Sequence, residues 1–244
     1  MNSPGTIAGS SRRASQTAIL FELFRFRFLS PFLLAQLLPS GDVRSINRRL
    51  AALLESGYVG RRYTARDRLA GQSARYYLLP AGLAALAPNH TIDRSDARRI
   101  YKDPTASDGF VNHWLGVAAL AADLSAEVEA QPQIFTASQL RPFEYFPKPL
   151  PDLYLRQMTT TGHQHTLVRL IDGTQPLWIY GRLARAYESY VASGQWRSDT
   201  GTEPPKLVLV SASEKVVARL SPELTIYPNC RVSTPDKVVS VLVA

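Results

Sequence analysis

The chain has 244 residues, 45% of them hydrophobic, with a formal net charge of +8; that length suits one large domain or two small ones, each with a core. No apolar run approaches the roughly 18 residues that cross a bilayer, MNSPGTIAGSSRRASQ lacks the apolar stretch of a secretory signal, and a lone Cys230 excludes an internal disulfide. A soluble protein of the reducing cytoplasm, with no membrane partner, is the expectation.

The charge is uneven. The first 102 residues carry 16 basic and 6 acidic side chains, a net +10, and the rest carry 12 and 14, a net −2. A basic half joined to a near-neutral half suggests a polyanion-binding module attached to something else.

In chain order, residues 1–16 read as a Ser/Gly-rich arm with Arg12 and Arg13. QTAILFELFRFRFL reads as a first helix, with Ile19, Leu20, Leu23, Phe24 and Phe28 on one face. Ser30 suits an N-cap and Pro31 the first helical position, where its missing N–H costs nothing. FLLAQLL is a short second helix ending near Pro39, and PSGD is a turn from which Asp42 or Ser40 caps the next helix. That third helix, residues 43–56, puts Ile46, Leu50, Leu53 and Leu54 toward a core. Arg44, Asn47 and Arg48 fall on another face, and Gly57 stops the helix. YVGRRYT and ARYYLL then alternate like strands, ARDRLAGQS is the hairpin tip between them, and PAGLAAL restarts a helix.

Three helices, a basic hairpin and another helix is the order of a winged helix-turn-helix, expected over residues 17–100. Its third helix suits the major groove of double-stranded DNA, and its wing suits the backbone or minor groove. Arg44, Ser45, Asn47 and Arg48 are the candidates for base-edge contacts, since arginine suits guanine and asparagine suits adenine. Arg61, Arg62, Arg66, Arg68 and Arg75 are the candidates for phosphate contacts.

The polar stretch APNHTIDRSDARRIYKDPTASDGF reads as an irregular boundary, with Pro88 and Pro104 as breakers. NHWLGVAALAADLSAEVEA follows as an amphipathic helix on Trp114, Val117, Ala121, Leu124 and Val128, with His113 at its start as a structural or capping group. QIFTA, PFEYFPKPLPDLYLRQ and HTLVRLID read as strands, and MTTTGHQ as the turn between the last two. QPLWIYGRLARAYESYVASGQW is a helix, with Leu177, Leu183, Tyr187 and Val191 inward. PKLVLVSAS is a buried strand, EKVVARL a short helix and DKVVSVLVA a final strand. Strands alternating with helices indicate a small α/β domain, expected over residues 108–244.

The stretch from Ser30 to Leu86, then NHWLGVAALAADL, LPDLYL and GTQPLW…RLARAYESYVASGQW…PKLVLVSAS, resembles the replication-relaxation family of plasmids and mobile elements, over residues 18–220. The resemblance implies a winged-helix DNA-binding domain followed by a domain similar to restriction-endonuclease folds, acting in plasmid replication, mobilisation or their control.

Metal-dependent nucleases of that fold carry a Pro-Asp and then an acid–x–Lys on the next strand, because two carboxylates hold the divalent metal and a lysine sits near the attacking water. Pro151-Asp152 matches the first half. The second half would fall on Arg169 and Ile171, which can neither ligate a metal nor activate water. Asp172 follows the strand with no lysine after it, and His163 and His165 read as turn residues. Asp152 is therefore expected to be structural, and neither a catalytic set, a metal nor a cofactor is expected. No phosphate-binding glycine loop or nucleophile set stands out.

The sequence points to a sequence-specific double-stranded DNA-binding protein that regulates transcription, replication or transfer of a mobile element. Its degenerate α/β domain would serve homodimerisation or partner-protein docking. Two alternatives stand beside it: a divergent metal-dependent nuclease using Asp152 and Asp172, and a protein-interaction subunit of a larger nucleic-acid-processing assembly.

Overall fold

The first four helices start where short polar side chains cap them, and the breaks between them set the fold. The computed structural model describes residues 15–39, 41–90, 92, 94–127, 132–159, 162–171 and 175–238. The chain forms two units, dividing between Pro104 and Thr105.

In the first unit, α1 (Gln16–Phe26) starts at Ser15, whose hydroxyl accepts from the Ala18 amide. It ends at Phe26 rather than running on to Leu29. Arg27 turns the chain with φ 65° and ψ −49°, and Phe28–Leu29 becomes a two-residue strand, β1. A non-glycine residue keeps such a φ only when its surroundings over-determine it. Here the Arg27 guanidinium is bound by the buried Asp103 carboxylate and the Arg99 carbonyl. Helix α2 (Pro31–Leu37) starts as expected, with the Ser30 hydroxyl accepting from Leu33 at 3.2 Å and Pro31 in the first turn.

Helix α3 (Val43–Glu55) is capped by Asp42; the alternative cap, Ser40, lies outside the described residues. Gly57, at φ 71°, ends it: its N–H bonds to Leu54 and that of Tyr58 to Leu53, the paired bonds of a Schellman motif. Then come β2 (Val59–Arg62), α4 (Ala65–Leu69), β3 (Arg75–Leu78), α5 (Pro80–Leu86) and α6 (Arg94–Ile100). The strands form an antiparallel sheet in the order β1-β3-β2, with Val59 opposite Leu78 and Arg62 opposite Arg75. Ile19, Phe26, Ile46, Leu50, Leu53 and Leu78 fill the core between helices and sheet.

Two expectations need correction here. The hairpin tip is not a plain turn, because Thr64 and Asp67 cap a short helix, α4. The supposed irregular boundary also contains α6 and a 3-10 turn, Asp103–Thr105, and buries Ile100 and Asp103. Its polar composition hid an ordered segment in which Asp96 pairs with Arg99 and Asp103 with Arg27.

In the second unit, α7 (Asp108–Glu127) buries Trp114, Val117, Ala121 and Leu124; Val128 lies outside the described residues. It is followed by β4 (Gln133–Thr136), α8 (Ala137–Leu140), β5 (Leu153–Thr159), β6 (Gly162–Leu170), α9 (Trp178–Ala192), α10 (Gln195–Thr200), β7 (Lys206–Val210), α11 (Glu214–Leu224) and β8 (Cys230–Ser233). The sheet runs β4-β5-β6-β7-β8, antiparallel through β6 and parallel from β6 to β8. The parallel pairs are bridged by α9–α10 and by α11, which long crossovers require. Helices alternating with the strands of this mixed sheet give the unit its α/β character. Tyr154, Leu167, Tyr187, Trp196, Leu209 and Leu220 anchor its core.

Three readings shift. PFEYFPKPLPDLYLRQ is a strand only from Leu153, because Pro142, Pro147, Pro149 and Pro151 cannot donate to a ladder. The long helix breaks at Ser193-Gly194 into α9 and α10. Among the described residues the last strand is Cys230–Ser233; DKVVSVLVA starts in a 3-10 turn, Pro235–Lys237, and its residues 239–244 lie outside the described residues. Among the described residues, no helix is long and apolar enough to cross a membrane.

Candidate nucleic-acid interface

The polar face of α3 is set by its cap and its buried face. Asp42 accepts from the amides of Arg44 and Ser45 at 3.3 and 3.0 Å, which fixes the first turn and places an acid where the helix dipole favours one. Ile46, Leu50 and Leu53 are buried, while Leu54 is half-buried. Arg44, Asn47 and Arg48 are exposed, at the three- and four-residue spacings that make helix neighbours, and Ser45 is half-buried beside them. The four base-edge candidates thus share the N-terminal half of one helix, with Ile46, Leu50 and Leu53 turned inward.

The phosphate candidates lie on the hairpin. Arg61 is exposed on β2, Arg62 is half-buried at its end, and Arg66 and Arg68 are exposed on α4. The Arg68 guanidinium lies 5.7 Å from the centre of the Tyr63 ring. Arg75 differs. It is buried on β3, donates to the Asp67 carboxylate at 2.6 Å, and also bonds the Gln72 side chain.

Asp67 is the residue that reading the sequence for charge missed. The Thr64 amide and hydroxyl donate to its carboxylate at 2.8 Å, and its own amide donates back to the Thr64 hydroxyl at 3.1 Å. The Thr64 amide first, then its hydroxyl and the Arg75 charge, hold the Asp67 carboxyl below the usual carboxylate range. The signal was present: Thr64-Ala-Arg-Asp67 has the spacing of a capping box. At the other end of α4, Gly71 adopts φ 65°; its N–H bonds to Arg68 and that of Gln72 to Asp67. The tip of the wing is a helix closed at both ends.

In the second unit, Asp152 is 4% exposed at the start of β5. One carboxylate oxygen accepts from the Leu170 amide at 2.9 Å; the other lies 3.2 Å from His113 Nε2 and 3.5 Å from the Arg169 guanidinium. Arg169 also donates to the Leu150 carbonyl at 2.6 Å. The carboxylate therefore ties α7, β5 and β6 together, and its cationic neighbour is a side chain. His113 lies within α7 rather than at its start. Ile171 is buried in the core, and Asp172 lies outside the described residues.

A cleft of about 840 Å³ beside Asp152 is lined by Lys148, Arg169 and Arg182 and by Phe110, Trp114 and Trp178. Among the described residues, no group of three or more His, Cys, Asp or Glu side chains could hold a metal ion. His163 and His165 are not on a turn but on β6. His165 Nδ1 is 2.7 Å from the Tyr154 hydroxyl, and burial, more than the His163 and Arg156 charges, lowers its pKa to about 4.

A family model described as replication-relaxation matches residues 20–205. Among curated proteins, none matches the chain in sequence. The solved structure of restriction endonuclease FokI is similar over 92% of this chain and 42% of that one, at 12% identity and a TM-score of 0.31. The structure of FokI bound to DNA is similar over 93% and 45%, at 14% identity and a TM-score of 0.28. The chain thus spans less than half the length of either.

Proposed function

The chain belongs to the replication-relaxation family, and on that premise we propose that it is a sequence-specific binder of double-stranded DNA regulating transcription, replication or transfer of a mobile element. One observation carries the reading: α3 exposes Arg44, Asn47 and Arg48 beside a hairpin bearing Arg61, Arg66 and Arg68. In a winged helix, α3 enters the major groove and the hairpin lies on the backbone. Arg44, Ser45, Asn47 and Arg48 read base edges; Arg61, Arg62, Arg66 and Arg68 meet phosphates. Arg75, held by Asp67 and Gln72, serves the phosphate contact by holding the wing in shape.

The winged helix occupies residues 17–100, and the α/β domain over residues 108–244 acts without cutting DNA, as a platform for a second copy or a partner protein. A dimer would set two α3 helices on half-sites about one helical turn apart. The engagement of Asp152 with Leu170, His113 and Arg169 supports a structural carboxylate over a metal ligand.

The test is selection of binding sites from random duplexes, followed by comparison of the wild type with Arg48→Ala on the enriched site. An enriched motif whose recognition weakens at one position in the variant supports the reading. No enrichment, or equal binding by the variant, contradicts it.

A further inference from the structure

The tip of the wing presents Leu69, which is 90% exposed, more than Phe32 at 59% or Ile226 at 74%. A single exposed leucine is ordinary on a protein surface. This one sits on an element secured at both ends. Helix α4 is closed at its start by the Thr64–Asp67 capping box and at its end by the Gly71 and Gln72 amide bonds, and it is pinned to β3 through Asp67 and Arg75. Arg66 shares a helix face with Leu69 at a spacing of three, and Arg68 precedes it; both are exposed. The acid of this tip, Asp67, is answered by Arg75, so the outer surface around Leu69 is cationic.

We propose that Leu69 is a wedge that enters the minor groove of duplex DNA and parts two stacked base pairs, while Arg66 and Arg68 hold the phosphates on either side. Proteins that bend DNA from the minor groove insert leucine and similar apolar side chains between base steps, and the unstacking favours flexible pyrimidine–purine steps. Such a wedge must be rigid, since a mobile tip would fold away rather than push; the caps and the Arg75–Asp67 pair supply that rigidity. The inference rests on the duplex-binding reading above and adds to it a distortion of the DNA and a preference for deformable steps outside the bases read by α3.

The experiment uses the full chain and a duplex of about 30 base pairs with 2-aminopurine at a central TA step and a dye at each end. Wild-type protein is expected to raise the 2-aminopurine signal severalfold and to bring the dyes closer. Leu69→Ala is expected to bind about tenfold more weakly, with both signals lost, and Leu69→Phe to keep them. Because Leu69 packs little of its surface, neither variant should alter folding, which circular dichroism checks. If the wild type binds duplex but leaves the 2-aminopurine stacked, or if Leu69→Ala unstacks and bends as the wild type does, the wedge is wrong while the DNA-binding reading stands. If the wild type binds no duplex at low salt, both fall.

Discussion

Arg75 Nη2 lies 2.6 Å from Asp67 Oδ1, joining the base of the wing to the short helix at its tip. The pair makes a cation of the hairpin an internal brace. Arg75→Gln should therefore raise amide hydrogen exchange over residues 65–72 while leaving α3 unchanged. Unaltered exchange there would show that the caps alone hold α4.

Arg48 and Arg66 should behave differently. Arg48→Ala on an enriched site should cost about 1–3 kcal/mol and relax the preference at one base position. Arg66→Ala should weaken all sequences alike and reduce the salt slope by about one unit. Binding isotherms on matched and scrambled duplexes at several salt concentrations separate the two. A sequence-dependent effect of Arg66→Ala would contradict the wing assignment.

Asp152 joins β5 to the end of β6 through the Leu170 amide. Asp152→Ala should cost about 2–3 kcal/mol in urea unfolding, because a buried amide and the Arg169 charge lose their acceptor. Plasmid incubated with wild-type protein and Mg²⁺ or Mn²⁺ should stay supercoiled. Nicking that disappears in Asp152→Ala would overturn the non-catalytic account.

His165 gives the second unit a pH dependence. Its folded pKa of about 4 lies below the ordinary 6.5. Between those values the unfolded chain takes up a proton that the folded chain refuses, so stability falls as pH falls through that window. His165→Gln keeps a partner for Tyr154 and cannot protonate. Urea midpoints should therefore drop less between about pH 7 and about pH 5 in the variant than in the wild type. Equal drops would mean that His165 is not held neutral.

Much of the first unit was legible because its signals are local. Ser30-Pro31 and Asp42 cap where short polar side chains should, and the spacing of Ile46, Leu50 and Leu53 gave the buried face of α3. What escaped depends on contacts distant in sequence. Phe28 and Leu29 continue the helical pattern of α1, and only the grip of Asp103 on Arg27 and the pairing with Tyr76 and Tyr77 make them a strand. Arg75 reads as one more surface cation until Asp67 is found beside it. In the second unit, the aromatic run before Pro151 mimics a strand, and its prolines prevent one. His163 and His165 looked like turn residues because β6 begins earlier, at Gly162.

The central claim, that the basic unit binds duplex DNA through its phosphates and bases, is tested most directly by fluorescence anisotropy on a duplex of about 30 base pairs, titrated with salt. The account predicts that affinity falls linearly in log–log form, with a slope of several phosphate contacts that becomes shallower in Arg66→Ala. Absence of binding at low salt, or binding indifferent to salt, would contradict it and make the winged helix a protein-docking module.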